Sequence, residues 1–125
     1  MMTKPQASGL RKLVNSTRYS FQGIVAAWRN EEAFRLECVL FVLLAPLALL
    51  VGENLTHKLL LLLSLALVLL AELINTALES VVDRVGEEHH PLAGQAKDLG
   101  SAAVFVTLSI VAMVWLPSLW IFIFG

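Results

Sequence analysis

The chain has 125 residues, 58% of them hydrophobic and 15% charged, with a net charge of −1. This is one domain's worth of sequence, too apolar for an ordinary soluble domain. It has no clustered basic face for a phosphate backbone, so nucleic acid is excluded as a partner. The single cysteine, Cys38, excludes an internal disulfide and a cysteine-built zinc site, and its apolar surroundings place it in a core.

Residues 1–8 are polar and expected to be loose. No apolar stretch with a small-residue cleavage site occupies the first thirty residues, so the membrane segments themselves are expected to direct insertion. A helix is expected over residues 9–28. Leu10, Leu13, Val14, Phe21, Ile24, Val25 and Trp28 recur at helical spacing, with Arg11, Lys12, Asn15, Arg18 and Gln22 on the other face. Such a basic amphipathic helix suits the surface of an anionic leaflet. Gly23 is expected to weaken it.

Asn30 reads as the N-cap of a second helix opening at Glu31-Glu32. The uncharged run Cys38 to Gly52 is short of the ~20 residues a bilayer requires, so the first span is expected over about 32–51, with Arg35 and Glu37 at its membrane edge. Pro46 is expected to bend it. A polar turn, Val51 to Lys58, leads to a second span over about 57–85, closed by Gly86.

That second span ends in AELINTALESVVD, where Glu72, Asn75, Glu79 and Asp83 stand at i, i+3, i+7 and i+11 on one helix face. The uncharged run before it, Leu59 to Ala71, is too short to span alone, so Glu72 lies inside the membrane segment. A charged residue deep in a span costs roughly 2.5–3.5 kcal/mol on insertion scales. Such a residue faces a bundle interior and has a task, of which interhelical hydrogen bonding is the plainest.

Gly86 to Asp98, GEEHHPLAGQAKD, is the most polar segment, with Pro91 and Gly94 as breakers of regular structure. His89 and His90 are adjacent, point apart and make no chelating pair on a helix. The third span is expected over about 98–122, opening on the small residues Gly100, Ser101, Ala102 and Ala103, with Trp115 and Trp120 suited to the far interface. Of nine Lys and Arg residues, eight precede the first span's core or lie in Arg84–Lys97; only Lys58 lies in the other loop. The positive-inside rule then puts the N-terminus and the 86–98 loop in the cytoplasm, where ATP is available.

Glu31, Glu72, Asn75, Glu79, Asp83, Lys97 and Asp98 thus gather at one boundary. Magnesium takes hard oxygens, typically one or two carboxylates plus substrate phosphates. A lysine neutralises charge on a phosphoryl group in transfer. A carboxylate held away from water is the stronger base toward a hydroxyl. Glu72, the deepest, is placed for a lipid hydroxyl, and Glu79, two turns nearer the cytoplasm, for metal and nucleotide. The chain has neither GxxxxGK[ST] nor GxGxxG, so a nucleotide site must be built from scattered side chains. In a proton- or ion-conducting subunit, the rival class, Glu72 would be a relay; that reading needs neither Lys97-Asp98 nor so long a second helix. Three helices alone enclose a polar site poorly, which favours a homo-oligomer.

ELINTALESVVDRVG, Glu72 to Gly86, resembles the signature of the small bacterial membrane kinases, the diacylglycerol and undecaprenol kinase family. The pattern there is Glu, any residue, aliphatic, Asn, Ser or Thr, small, aliphatic, Glu, two residues, Val-Asp. NEEAFRLE (Asn30 to Glu37), AKDLGSAAV (Ala96 to Val104) and the stretch from RYSFQG to AAW match further blocks in order, so the resemblance covers nearly the whole chain. It implies an all-α integral membrane protein: an N-terminal amphipathic surface helix plus three transmembrane helices, assembled as a homotrimer with sites shared between neighbours. It implies Mg2+-dependent transfer from ATP to a lipid hydroxyl at the bacterial inner membrane.

Residue by residue, the resemblance makes Glu72 the general base and makes Glu31 and Glu79 the metal carboxylates, which also contact nucleotide. Lys12, Tyr19, Glu88, His89, His90, Lys97 and Asp98 would contact nucleotide, and Asn75 and Asp83 would support the site. Ala33, Phe34, Arg35, Glu37, Ser101 and Trp115 would join Glu72 along the lipid path. Lys12 stands where the diacylglycerol branch is expected to carry Arg, keeping the charge without the bidentate fork. His89 stands where an aromatic or another residue is common. The surface helix and the AAW stretch look more like the diacylglycerol branch than the undecaprenol one; physics alone does not separate a glycerol hydroxyl from a polyprenol one.

Overall fold

The computed structural model describes residues 8–86 and 90–125, and among them every regular element is a helix. Four follow in order: α1 (Leu10–Asn30), α2 (Glu32–Val51), α3 (Leu55–Val85) and α4 (Pro91–Phe124). α2, α3 and α4 are each long and apolar enough to cross a membrane. The chain is an all-α integral membrane protein with an amphipathic first helix. Leu10, Leu13, Val14 and Phe21 on α1 stay exposed, an apolar face open to an interface.

α3 is the axis of the bundle. It packs most extensively on α4, then on α2, while α2 and α4 barely touch. Its buried residues, Leu61, Ser64, Leu65, Val68, Ala71, Glu72 and Asn75, recur at three and four residues and form one stripe. At its far end the stripe meets Ala48 and Val51 of α2 and Trp115 of α4, the densest part of the core. With 31 and 34 residues, α3 and α4 are about 46 and 51 Å long, well beyond a hydrocarbon thickness of ~30 Å. The surplus lies at the end that carries Glu79, Asp83 and Lys97, the acidic end of the bundle.

The α2–α3 turn needs only Gly52–Asn54, shorter than the turn expected over Val51–Lys58. A methyl group on Gly52 would lie 2.9 Å from Lys58 Cα, so only glycine lets the chain double back so closely. Asn54 caps α3 by accepting from the His57 backbone N–H at 2.9 Å.

Several local expectations are corrected. Asn30 is the last residue of α1, and Glu31, extended at φ −118° and ψ 109°, separates α1 from α2. Glu31 N–H closes α1 on Ala27 O (2.9 Å), and Glu31 O opens α2 by accepting from Arg35 N–H (3.2 Å), so a single residue serves both helices. Pro91 and Gly94 do not break α4; Pro91 sits at its start, where proline lacks only an N–H that would be unpaired anyway. His90 caps that start, its Nδ1 accepting from Leu92 N–H at 3.1 Å. α4 therefore begins at Pro91, seven residues ahead of residue 98, where the third span is expected to open. Cys38 is half-buried rather than core. Trp115, expected to suit an interface, is packed inside the bundle at 4% exposure.

Candidate active site

The polar row on α3 continues the buried stripe rather than facing lipid. Glu72 is 7% exposed and Asn75 9%, Glu79 is half-buried and Asp83 is open. One helix face thus passes from dry to wet over three turns. Helix periodicity explains the alignment, and the small Ala71 and Gly100 at the same level let neighbouring helices close over it.

Within the row, Asn75 Nδ2 donates to Glu79 Oε1 at 3.2 Å. Asn75 Oδ1 and Thr76 Oγ1 are buried and have no hydrogen-bond partner, as is Glu37 Oε2 across on α2. Glu31, Glu79 and Glu37 are the acidic residues whose charges reach Glu72. Buried polar atoms without partners are uncommon in folded proteins, because each has lost its water and gained nothing. All three lie on the same side of the bundle as Glu72 and Glu79, which makes this the candidate site.

Glu31 comes from the α1–α2 break and borders a cleft of about 510 Å³ together with Ala27, Asn30, Thr76, Ala77 and Ser80. Arg35 holds that break: its Nη1 donates to Trp28 O (2.8 Å) and Arg29 O (3.1 Å), two of the carbonyls left free in the last turn of α1. Deeper in the bundle, a void of about 110 Å³ opens beside Glu37, walled by Leu40, Phe41, Leu44, Leu65 and Val68. Toward the wet end, Lys97 Nζ pairs with Asp83 Oδ1 at 2.8 Å, tying α4 to α3. Both side chains are well exposed, so this pair orients more than it stabilises.

The fold therefore brings Glu31, Glu37, Glu72, Asn75 and Glu79 together, with Asp83 and Lys97 above them. Other expected residues stand apart within one chain. Lys12 and Tyr19 are exposed on α1, where Tyr19 stacks only under Arg18, its ring centroid 5.5 Å from the guanidinium carbon. Ala33, Asp98 and Ser101 are exposed, Phe34 is buried, and His90 is the cap described above. Trp115 donates to Leu61 O and Ser64 Oγ, both at 3.2 Å, two to three turns of α3 beyond Glu72. Glu88 and His89 lie outside the described residues, as do residues 1–7. Two candidates were missed from sequence, Thr76 and Gly100. Thr76 carried a signal, since it stands four residues from Glu72 on the same helix; Gly100 did not, because its contact with Asn75 joins residues far apart in the chain.

Among the described residues no three His, Cys, Asp or Glu side chains cluster tightly enough to hold a metal unaided. Glu31 and Glu79 offer hard carboxylate oxygens, and a phosphate would have to supply the remaining ligands.

Residues 18–119 match the family model described as prokaryotic diacylglycerol kinase. The chain is 50% identical to the diacylglycerol kinase of Haemophilus influenzae over 88% of its own length and 93% of that protein's. It is 44% identical to that of Pseudomonas aeruginosa (86% and 88% covered) and 40% identical to that of Escherichia coli (90% and 93%). Matches of this extent, on a helical bundle with three potential spans, settle the family: the chain belongs to the prokaryotic diacylglycerol kinases.

Proposed function

We propose that this protein is an ATP-dependent lipid kinase that phosphorylates the free hydroxyl of diacylglycerol, giving phosphatidic acid at the cytoplasmic leaflet of the bacterial inner membrane. The observation that carries the reading is the dry-to-wet passage along α3, from Glu72 at 7% exposure to open Asp83. Such a row meets an apolar acceptor at one end and a soluble donor at the other. The void beside Glu37 supplies the apolar side, and the cleft at Glu31 the wet one.

Glu72 takes the proton of the acceptor hydroxyl as its oxygen attacks the γ-phosphorus. The new P–O bond forms while the bond to the bridging oxygen of the β-phosphate breaks, and ADP leaves. Removal of water around Glu72 strengthens it as a base and keeps the phosphoryl group from hydrolysis. Lys97 offers charge to the phosphates, held over the row by Asp83. The hard oxygens of Glu31 and Glu79 fit Mg2+, which when bound would neutralise phosphate charge. Asn75 holds Glu79 in place. Lys12, Tyr19 and Asp98 reach none of the row within one chain; a homotrimer with sites between neighbours would bring them there from the adjacent copy.

The test is transfer from γ-labelled ATP in vesicles holding diacylglycerol or undecaprenol. Labelled phosphatidic acid is expected, and undecaprenol is expected to be the poorer acceptor. Preferred labelling of undecaprenol would reassign the acceptor; proton flux without any labelled lipid would reject the kinase reading.

A further inference from the structure

We infer that Gly100 is a positioning residue for Glu79, acting through Asn75; this rests on the reading of Glu79 as a metal and nucleotide carboxylate. Gly100, Trp115 and Ser118 are the buried residues of α4, and Gly100 alone of the three stands at the acidic end. A methyl group on Gly100 would collide with Asn75 Oδ1 and lie 3.2 Å from Asn75 Cγ. The space that its missing side chain leaves is where the Asn75 carbonyl oxygen sits.

Glu79, an acceptor, fixes which edge of the amide faces it, and the space at Gly100 receives the other edge. Oδ1 has no hydrogen-bond partner, and Nδ2 donates to Glu79 Oε1 at 3.2 Å. Turning the amide over would set two acceptors, Oδ1 and Oε1, against each other. Filling the space at Gly100 forces the amide to rotate or α4 to withdraw; rotation takes Nδ2 off Oε1, whereas withdrawal of α4 would leave both groups in place on α3. Asn75 Oδ1 is the tip of a side chain, so the amide yields before the helices do. The loss then falls on Glu79 rather than on the packing. Alanine is also the better helix former, so the substitution favours the helix itself.

The test uses the purified full chain in lipid. Mn2+ binding with a non-hydrolysable ATP analogue is followed by electron paramagnetic resonance, beside the Mg2+ midpoint of lipid phosphorylation, the lipid KM and the melting temperature. Gly100→Ala is expected to weaken cation binding and raise the midpoint by roughly tenfold or more, as for other groups that orient a metal ligand. The lipid KM should not move, and the melting temperature should hold or rise. Asn75→Ala should give the same shift, and Gly100→Ala on top of Asn75→Ala should add nothing. Cation binding unchanged in Gly100→Ala overturns the inference, as does an additive double variant. If Gly100→Ala does not fold, the double variant, freed of the collision, must fold as Asn75→Ala does; its failure assigns Gly100 to packing alone. Glu79→Gln separates the two readings. A cation shift there without one in Gly100→Ala sinks only this inference, whereas no shift in either sinks the reading of Glu79 and this inference with it.

Discussion

At the far end of the bundle, Trp115 donates to Leu61 O and Ser64 Oγ, and Ser64 Oγ–H itself donates to Leu61 O at 2.7 Å. His57 Nδ1 accepts from Glu53 N–H at 3.1 Å, its Nε2 meets Ser118 Oγ at 2.8 Å, and Ser118 donates to Val114 O at 2.6 Å. These bonds close on one another around Ala48 and Leu61, both fully buried. At the acidic end, Glu37 Oε2, Asn75 Oδ1 and Thr76 Oγ1 are buried with no hydrogen-bond partner, and the charges of Glu79 on the same face of α3, Glu37 on α2 and Glu31 at the α1–α2 break reach Glu72. Both ends bury polar atoms, but only the far end satisfies them. Unsatisfied polar atoms weaken a fold, so their concentration at one end fits the proposed ligand site there, and the far end supplies the stability that tolerates it.

That contrast is broken most sharply by removing the deep base. Glu72→Gln should lower the lipid phosphorylation rate by about 10²–10⁴-fold, the usual contribution of general base catalysis, with assembly and melting temperature unimpaired. A folded variant that retains full activity would take Glu72 out of the chemistry. Next in size, Trp115→Ala should cost about 3 kcal/mol or more of stability, because it empties the far core and strips its hydrogen bonds. The melting temperature should fall while lipid KM at low temperature stays put; a raised lipid KM at an unchanged melting temperature would return Trp115 to the lipid path.

Ser118→Ala should be smaller, about 1 kcal/mol, as buried hydrogen bonds between membrane helices usually are, again without effect on the phosphorylation rate. Smallest of all, Asp83→Asn should leave the melting temperature where it is, since the Lys97 pair is exposed, yet raise the KM for ATP severalfold as Lys97 loses its guide. A large drop in melting temperature would make that ion pair structural.

Much of this contrast was legible in the sequence, for a physical reason. A polar stripe at helical spacing inside an apolar run points to one face and one level of the membrane, so Glu72, Asn75 and Glu79 declared themselves. What escaped was set by contacts between distant residues. Trp115 reads as an interface aromatic until Leu61 and Ser64 are seen beneath it, and Gly100 is only a small residue until Asn75 is seen against it. Pro91 misled because proline breaks a helix anywhere but at its start, and which place it takes depended on His90 serving as the cap. Tyr19 follows the family pattern and Lys12 keeps its charge, but both are exposed on α1, away from the row within one chain.

The central claim, that Glu72 meets the lipid hydroxyl in dry surroundings, is tested most directly by modification with dicyclohexylcarbodiimide, an apolar reagent for carboxyl groups shielded from water. Peptide mass spectrometry would follow labelling of Glu72 beside the rate of lipid phosphorylation. The account predicts that Glu72 is labelled, that activity falls in proportion, and that diacylglycerol slows both. Complete labelling of Glu72 with phosphoryl transfer undiminished would contradict it.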